Sequence, residues 1–131
     1  MTKIEVGGTV KRVLQFFKLP RSGDIPIGFY GELLSSRNGR ALWGREPARW
    51  YELSVYRTVA DKFVVAVAYR TAEGDEDNYD KVLLCEDVED LVQQLKDYDR
   101  EHAVIITFRP LIARLADDLG LVEVIDLPNS T

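Results

Sequence analysis

One cysteine and one histidine make up the thiol and imidazole inventory of this 131-residue chain. Nucleophilic catalysis would need Cys85 and His102 to meet in the fold. Cys85 closes the apolar run YDKVLLC and is followed by Glu86 and Asp87. Neighbouring carboxylates raise a thiol pKa rather than lower it. Cys85 therefore reads as a small core residue. His102, in the charged run DREH, reads as an exposed loop or helix-end residue. A single cysteine also excludes an intramolecular disulfide framework. No catalytic residue is assigned, and the chain is read as a non-enzyme.

Metal and phosphate chemistry fare no better. A calcium loop starting at Asp75 places Asp77 third and Glu86 twelfth, but Tyr79 fifth and Asp80 sixth. Those two positions need an oxygen ligand and a glycine. The stretch is better read as a solvated acidic turn leading into a strand. No zinc-ligand cluster occurs. Gly7-Gly8 and the glycines of IGFYG lack both the dinucleotide fingerprint and a Walker lysine. No metal and no cofactor is expected.

The densest chemical signal is basic and aromatic. Arg37, Arg40, Arg45 and Arg49 fall within thirteen residues, with Trp43 and Trp50 interleaved and only Glu46 opposing. Guanidinium groups pair with phosphates, and an indole face stacks on an unpaired base. On that reading Arg37, Arg40, Trp43, Arg45 and Arg49 form a nucleic-acid-binding loop. The structural alternative has Trp50 facing the core at the start of a strand and Trp43 pinning a loop. The arginines then pair with the acidic 73–90 region.

Charge along the chain sharpens the contrast. The net charge is −5, yet residues 1–50 hold nine basic against four acidic residues. Residues 73–101 hold twelve acids against Lys81, Lys96 and Arg100. Such a split suits internal neutralisation, self-association, or two partners of opposite sign. An acidic surface of this kind can also mimic a nucleic-acid backbone in the basic groove of a partner protein.

These residues must be held by a small scaffold. The length points to one domain spanning 1–131, with an N-terminal segment 1–25 of open structure and a polar tail from 127. Apolar residues at 46% and charged residues at 30% fit an ordered globular chain. No apolar run approaches a membrane span, and MTKIEVGG lacks a signal core, so a cytoplasmic protein is expected.

Residues 3–19 admit two readings. Val10, Val13, Leu14 and Phe17 have helical spacing, whereas Gly7-Gly8 can turn a hairpin; the β-branched content favours strand–turn–strand ended by Pro20. Residues 20–26 read as a loop, IGFYGELLSS as a strand of about ten residues, and 36–48 as a second loop with positive φ at Asn38-Gly39.

WYELSVYRT and KFVVAVAYRT give the strongest strand signal and a short connection, hence an antiparallel pair. The second strand is apolar on both faces and needs two covers. One is a helix pair. The other is either the 3–17 segment or a second subunit meeting Phe63, Val65 and Val67. YDKVLLCE reads as a further strand. Val88, Leu91, Val92, Leu95 and Tyr98 then line one helix face, behind acids that suit a helix N-terminus. HAVIITF is strand or buried helix. Pro110 opens a second helix striped by Leu111, Ile112, Leu115, Ala116 and Leu119, stopped by Gly120. LVEVID is a last strand. Strands first and helices later argue for α+β: an antiparallel β-meander packed against two C-terminal helices, with a short terminal strand.

Arg49-Trp50-Tyr51-Glu52-Leu53 with Tyr56-Arg57-Thr58, and the ending Leu121 to Ile125, resemble small bacterial proteins carried on plasmids, phages and other mobile elements. The likeness loosely covers 28–126. It departs at Ala60-Asp61, where a glycine would be natural. It implies an accessory role and brings no activity, cofactor or site residue. The expectation from sequence is therefore a non-enzymatic protein-binding or assembly module, self-associating as a dimer. Nucleic-acid binding through 37–50 and acidic mimicry are the alternatives.

Overall fold

The two strongest strand signals form the centre of the sheet. In a computed structural model that describes residues 2–6, 14–40, 48–72, 78–102 and 108–125, β4 (Arg49–Thr58) and β5 (Phe63–Thr71) pair antiparallel. Register runs from Arg49 opposite Thr71 to Arg57 opposite Phe63. Asp61 closes the hairpin with φ +59°, the left-handed conformation that glycine usually supplies and aspartate tolerates. The Thr58 hydroxyl oxygen accepts from the Ala60 and Lys62 amides and fixes the loop.

Flanking this pair are β2 (Gln15–Arg21), β3 (Asp24–Asn38) and β6 (Tyr79–Cys85). The order β2-β3-β4-β5-β6 is a meander with every neighbour antiparallel. Helix α1 (Val88–Glu101) and helix α2 (Phe108–Leu119) follow. Strand β7 (Leu121–Ile125) pairs with β1 (Thr2–Val6) in a separate two-stranded sheet. The α+β class and the meander-then-helices order stand as read from sequence. Among the described residues, no helix is long and apolar enough to cross a membrane.

Both helices lie on one face of the meander. Leu91, Leu95, Tyr98, Phe108, Leu111, Leu115 and Leu119 meet Tyr51, Leu53, Val55, Phe63, Val65, Val67, Leu83 and Cys85. Burying a large apolar side chain contributes about 1.5–3 kcal/mol, so this layer carries most of the favourable energy. Asp87 caps α1, accepting from the Asp90 amide at 2.8 Å. Gly120, at φ +62°, ends α2.

The opposite face of β5 is covered by the same chain. Val64 packs with Leu19 and Tyr56, and Phe17, Ile27, Phe29, Ala66 and Val82 close around them. Two register shifts make this possible, between Leu33 and Ser35 and between Leu19 and Arg21. Bulges increase local twist, and the sheet curls until its outer strands meet. The Ser22 amide donates to the Asp80 carbonyl and the Asp80 amide to Ser22 Oγ, both at 2.8 Å. At Gly31 an added Cβ would lie 2.3 Å from the Arg57 carbonyl oxygen, so the strand crossing tolerates no side chain there.

Several expectations need correction. Phe63, Val65 and Val67 lie beneath the helices at 6%, 0% and 1% exposure, so a second subunit cannot reach them. Phe17 belongs to a strand, in line with the favoured reading of that segment; Val10, Val13 and the Gly7-Gly8 turn lie outside the described residues. Pro20 sits within β2 rather than ending it. An edge strand with a register shift tolerates the missing N–H. The 20–26 loop shrinks to a turn at Ser22-Gly23, and β3 runs fifteen residues rather than ten. Neither Asn38 nor Gly39 takes a positive φ. Gly39 instead allows close approach, its missing Cβ falling 2.8 Å from the Tyr51 carbonyl oxygen. Residues 103–107 of HAVIITF lie outside the described residues.

Candidate functional site

Register across β4, β5 and β6 sets Tyr51 opposite Tyr69, and Tyr69 opposite Tyr79. Three phenol-bearing residues thus cross the sheet in one row on the helix-facing side. One pair inward, Leu53 meets Val67 and Val67 meets Lys81; one pair outward from Tyr51 is Arg49. The tyrosine row therefore runs between two cations at diagonally opposite corners. At about 4.8 Å between strands and 3.4 Å per residue, their backbones lie roughly 16 Å apart.

The C-terminal half of α1 forms the other wall. Tyr98 is on its buried stripe and His102 is its C-terminal cap, the His102 amide donating to the Tyr98 carbonyl at 2.8 Å. The Tyr51 ring is 5.3 Å from Tyr69 and 6.2 Å, edge to face, from Tyr98. Phe108 backs the two inner tyrosines, 4.9 Å from Tyr51 and 5.0 Å from Tyr98. The His102 ring lies 5.5 Å from Tyr98. Burial above all, then the charge and hydrogen bond of Tyr51, pushes the Tyr98 phenol well above its ordinary range. It remains a neutral donor at working pH.

A cavity of about 370 Å³ remains between sheet and helix, lined by Arg49, Tyr51, Tyr69, Tyr79, Lys81, Tyr98 and His102. That is within the usual size of a small-ligand site. Tyr79, 45% exposed, stands at its mouth. Lys81 has no hydrogen-bond or ion-pair partner among the described residues. The arrangement offers flat aromatic surface, phenol hydroxyls and positive charge. It offers no nucleophile beside a base, and among the described residues no three metal-ligating side chains converge.

Among the residues expected to bind nucleic acid, the three that are described, Arg37, Arg40 and Arg49, have different surroundings. Arg37 is held by α2: its Nε donates to Asp118 Oδ2 at 2.6 Å, its Nη2 donates to Asp118 Oδ1, and Ser35 Oγ donates to Asp118 at 2.7 Å. These bonds hold the Asp118 carboxyl below its ordinary range, the hydrogen bond from Arg37 first. Arg40 stacks over the Trp50 ring at 4.9 Å. Trp50 lies on the face away from the helices, and its indole N–H donates to Glu52 at 2.9 Å. It does not face the helix-covered core. Trp43 and Arg45 lie outside the described residues. Of the three that are described, only Arg49 lines the cavity. Arg37 pairs with α2 rather than with the 73–90 region.

A Cys–His dyad is excluded by distance. Cys85 lies two residues before the α1 cap and His102 follows the last turn, so the fourteen-residue helix separates them by roughly 20 Å. Cys85 is buried, and burial, with Asp90 and Asp87, pushes its thiol up to about 12 from 9.0. Three pKa units reduce the thiolate fraction about a thousandfold. A thiol–disulfide reagent at pH 8 should modify the folded chain at least that much more slowly than the urea-unfolded chain. Equal rates would show Cys85 to be reachable in the native state.

The chain matches no protein-family model, no curated protein and no solved structure. Its functional reading rests on the geometry above.

Proposed function

We propose that the chain is a non-enzymatic binding module and that the tyrosine-lined cavity is its binding site, taking a compact planar anion. The observation that carries this reading is the in-register row Tyr51–Tyr69–Tyr79 running between Arg49 and Lys81, a lysine with no ion-pair partner among the described residues. A flat ring gains stacking and dispersion on the phenols, and an anionic group gains a desolvated cation. Catalysis has no support here, because a buried high-pKa thiol and a distant imidazole cannot share a proton. The nucleic-acid reading has less support, since Arg37 and the Trp50 face are both engaged within the chain. The resemblance to mobile-element proteins adds an accessory role, and the free thiol suits a reducing compartment such as the cytoplasm.

A thermal-shift and calorimetric screen against aromatic carboxylates, aromatic amino acids and nucleoside monophosphates tests the reading. At least one class should raise the melting temperature, as any ligand specific to the native state does. Lys81→Gln should weaken that ligand about tenfold, the order expected for one charge-assisted hydrogen bond, and Tyr79→Ala by a similar factor. No response to any class, or a response unchanged in both variants, would overturn the proposal.

A further inference from the structure

The cavity does not end at Lys81. A groove of about 340 Å³ continues from it between β6 and α1, and the two spaces share Lys81, Tyr98 and His102. The groove walls carry Asp97 and Glu101, with Gln94 beside them. Along the joined space the chemistry runs in a fixed order. First comes the aromatic row, then the Lys81 ammonium, then two carboxylates. Asp97 accepts from Gln93 and Arg100 on Oδ1, each at 2.9 Å, and among the described residues nothing donates to its Oδ2. Glu101 Oε1 accepts from Arg100 at 3.1 Å.

Each simpler ligand leaves part of this order unmatched. A purely anionic ligand that filled both parts would set like charges together in the groove. A purely cationic ligand would meet Lys81. In a nucleoside phosphate the sugar separates ring from anion, so the anion is carried past Lys81 toward the carboxylates. A ring bearing a carboxylate and an ammonium on the same short stem matches all three zones. Resting on the cavity reading above, we infer that the ligand is a free aromatic α-amino acid. Its ring lies on Tyr69 and Tyr79, its carboxylate at Lys81, and its ammonium toward Asp97 and Glu101.

Calorimetric titration with L-phenylalanine and four relatives tests this on the intact chain. N-acetyl-L-phenylalanine lacks the ammonium, L-phenylalaninamide lacks the carboxylate, and L-alanine lacks the ring. Adenosine monophosphate presents the other order of groups. L-phenylalanine should bind, the acetyl and amide forms should each bind at least tenfold more weakly, and alanine and the nucleotide should not bind. Asp97→Asn, with its fold checked by circular dichroism, should erase the preference for phenylalanine over its acetyl form. Lys81→Gln should erase the preference over the amide and leave the preference over the acetyl form. Equal or tighter binding of the acetyl form or the nucleotide would overturn the amino-acid inference and leave the planar-anion reading standing. Equal binding of the amide, or no binding by any probe, would overturn both. Undiminished discrimination in Asp97→Asn would overturn the placement of the ammonium.

Discussion

Arg57→Ala should lower the stability of the folded chain by about 3–5 kcal/mol, the cost of removing one partner from a buried ion pair. Its partner Glu32 sits directly opposite on β3, only 3% exposed, and accepts from Arg57 Nε at 3.0 Å. Both face the helix side of the sheet, beside Phe63 at the next register position. Removing the guanidinium takes the ion-pair partner from a carboxylate that is almost fully buried. Against a typical stability of about 5–15 kcal/mol, that is a large share. Urea unfolding should show a lower midpoint with an unchanged slope.

Two companion variants separate burial from charge. Lys62→Ala removes an exposed partner of Glu86 and should leave the urea midpoint close to that of the parent, because water screens that pair. The double variant Glu32→Leu with Arg57→Met should recover most of that loss, since it leaves neither charge of the pair buried without the other. An Arg57→Ala chain as stable as the parent would mean that Glu32's other contacts suffice to hold it.

The sheet centre was legible because alternation is local. Tyr51, Leu53 and Val55 announce their face within five residues, and the two-faced β5 announces that it is covered twice. What covers its second face was not legible. The cover is the sheet itself, curled by shifts at Leu33/Ser35 and Leu19/Arg21, and a register shift leaves no periodic mark in the sequence. The partner of Arg37 was equally hidden, because Asp118 is 81 residues away and lies off the apolar stripe of its helix. The binding cavity fell between these cases. Alternation groups Tyr51 with Leu53 and Val55 and Tyr69 with Val65 and Val67, and Tyr98 falls on a helix stripe. That they meet Tyr79 and Lys81 depends on two strand registers, one of them spanning residues 73–77. An excess of tyrosine on inward faces was the available signal, since a buried phenol needs a partner for its hydroxyl.

Phe108→Ala joins the stability of the fold to the proposed site. Phe108 is fully buried and touches both inner tyrosines, edge to face with Tyr51 and tilted against Tyr98. Truncating a buried phenylalanine costs about 3–5 kcal/mol in lost transfer energy and residual cavity. For a domain of this size the melting temperature should fall by roughly 10–20 °C. Leu111→Ala, at an equally buried position of the same helix, should cost a comparable 2–5 kcal/mol.

The two variants differ in what they back. Leu111, one turn along the same buried stripe, lies against Gly39, whereas Phe108 props the rings that form the inner wall of the cavity. Ligand affinity, measured well below each variant's melting temperature, should therefore fall at least tenfold in Phe108→Ala and stay near the parent value in Leu111→Ala. Phe108→Leu, which keeps most of the volume but not the ring contacts, should lie between. Equal loss of affinity in the alanine variants would trace binding to global stability. Loss confined to Phe108 ties it to the tyrosine wall, because only there does the same side chain hold the core closed and the cavity open.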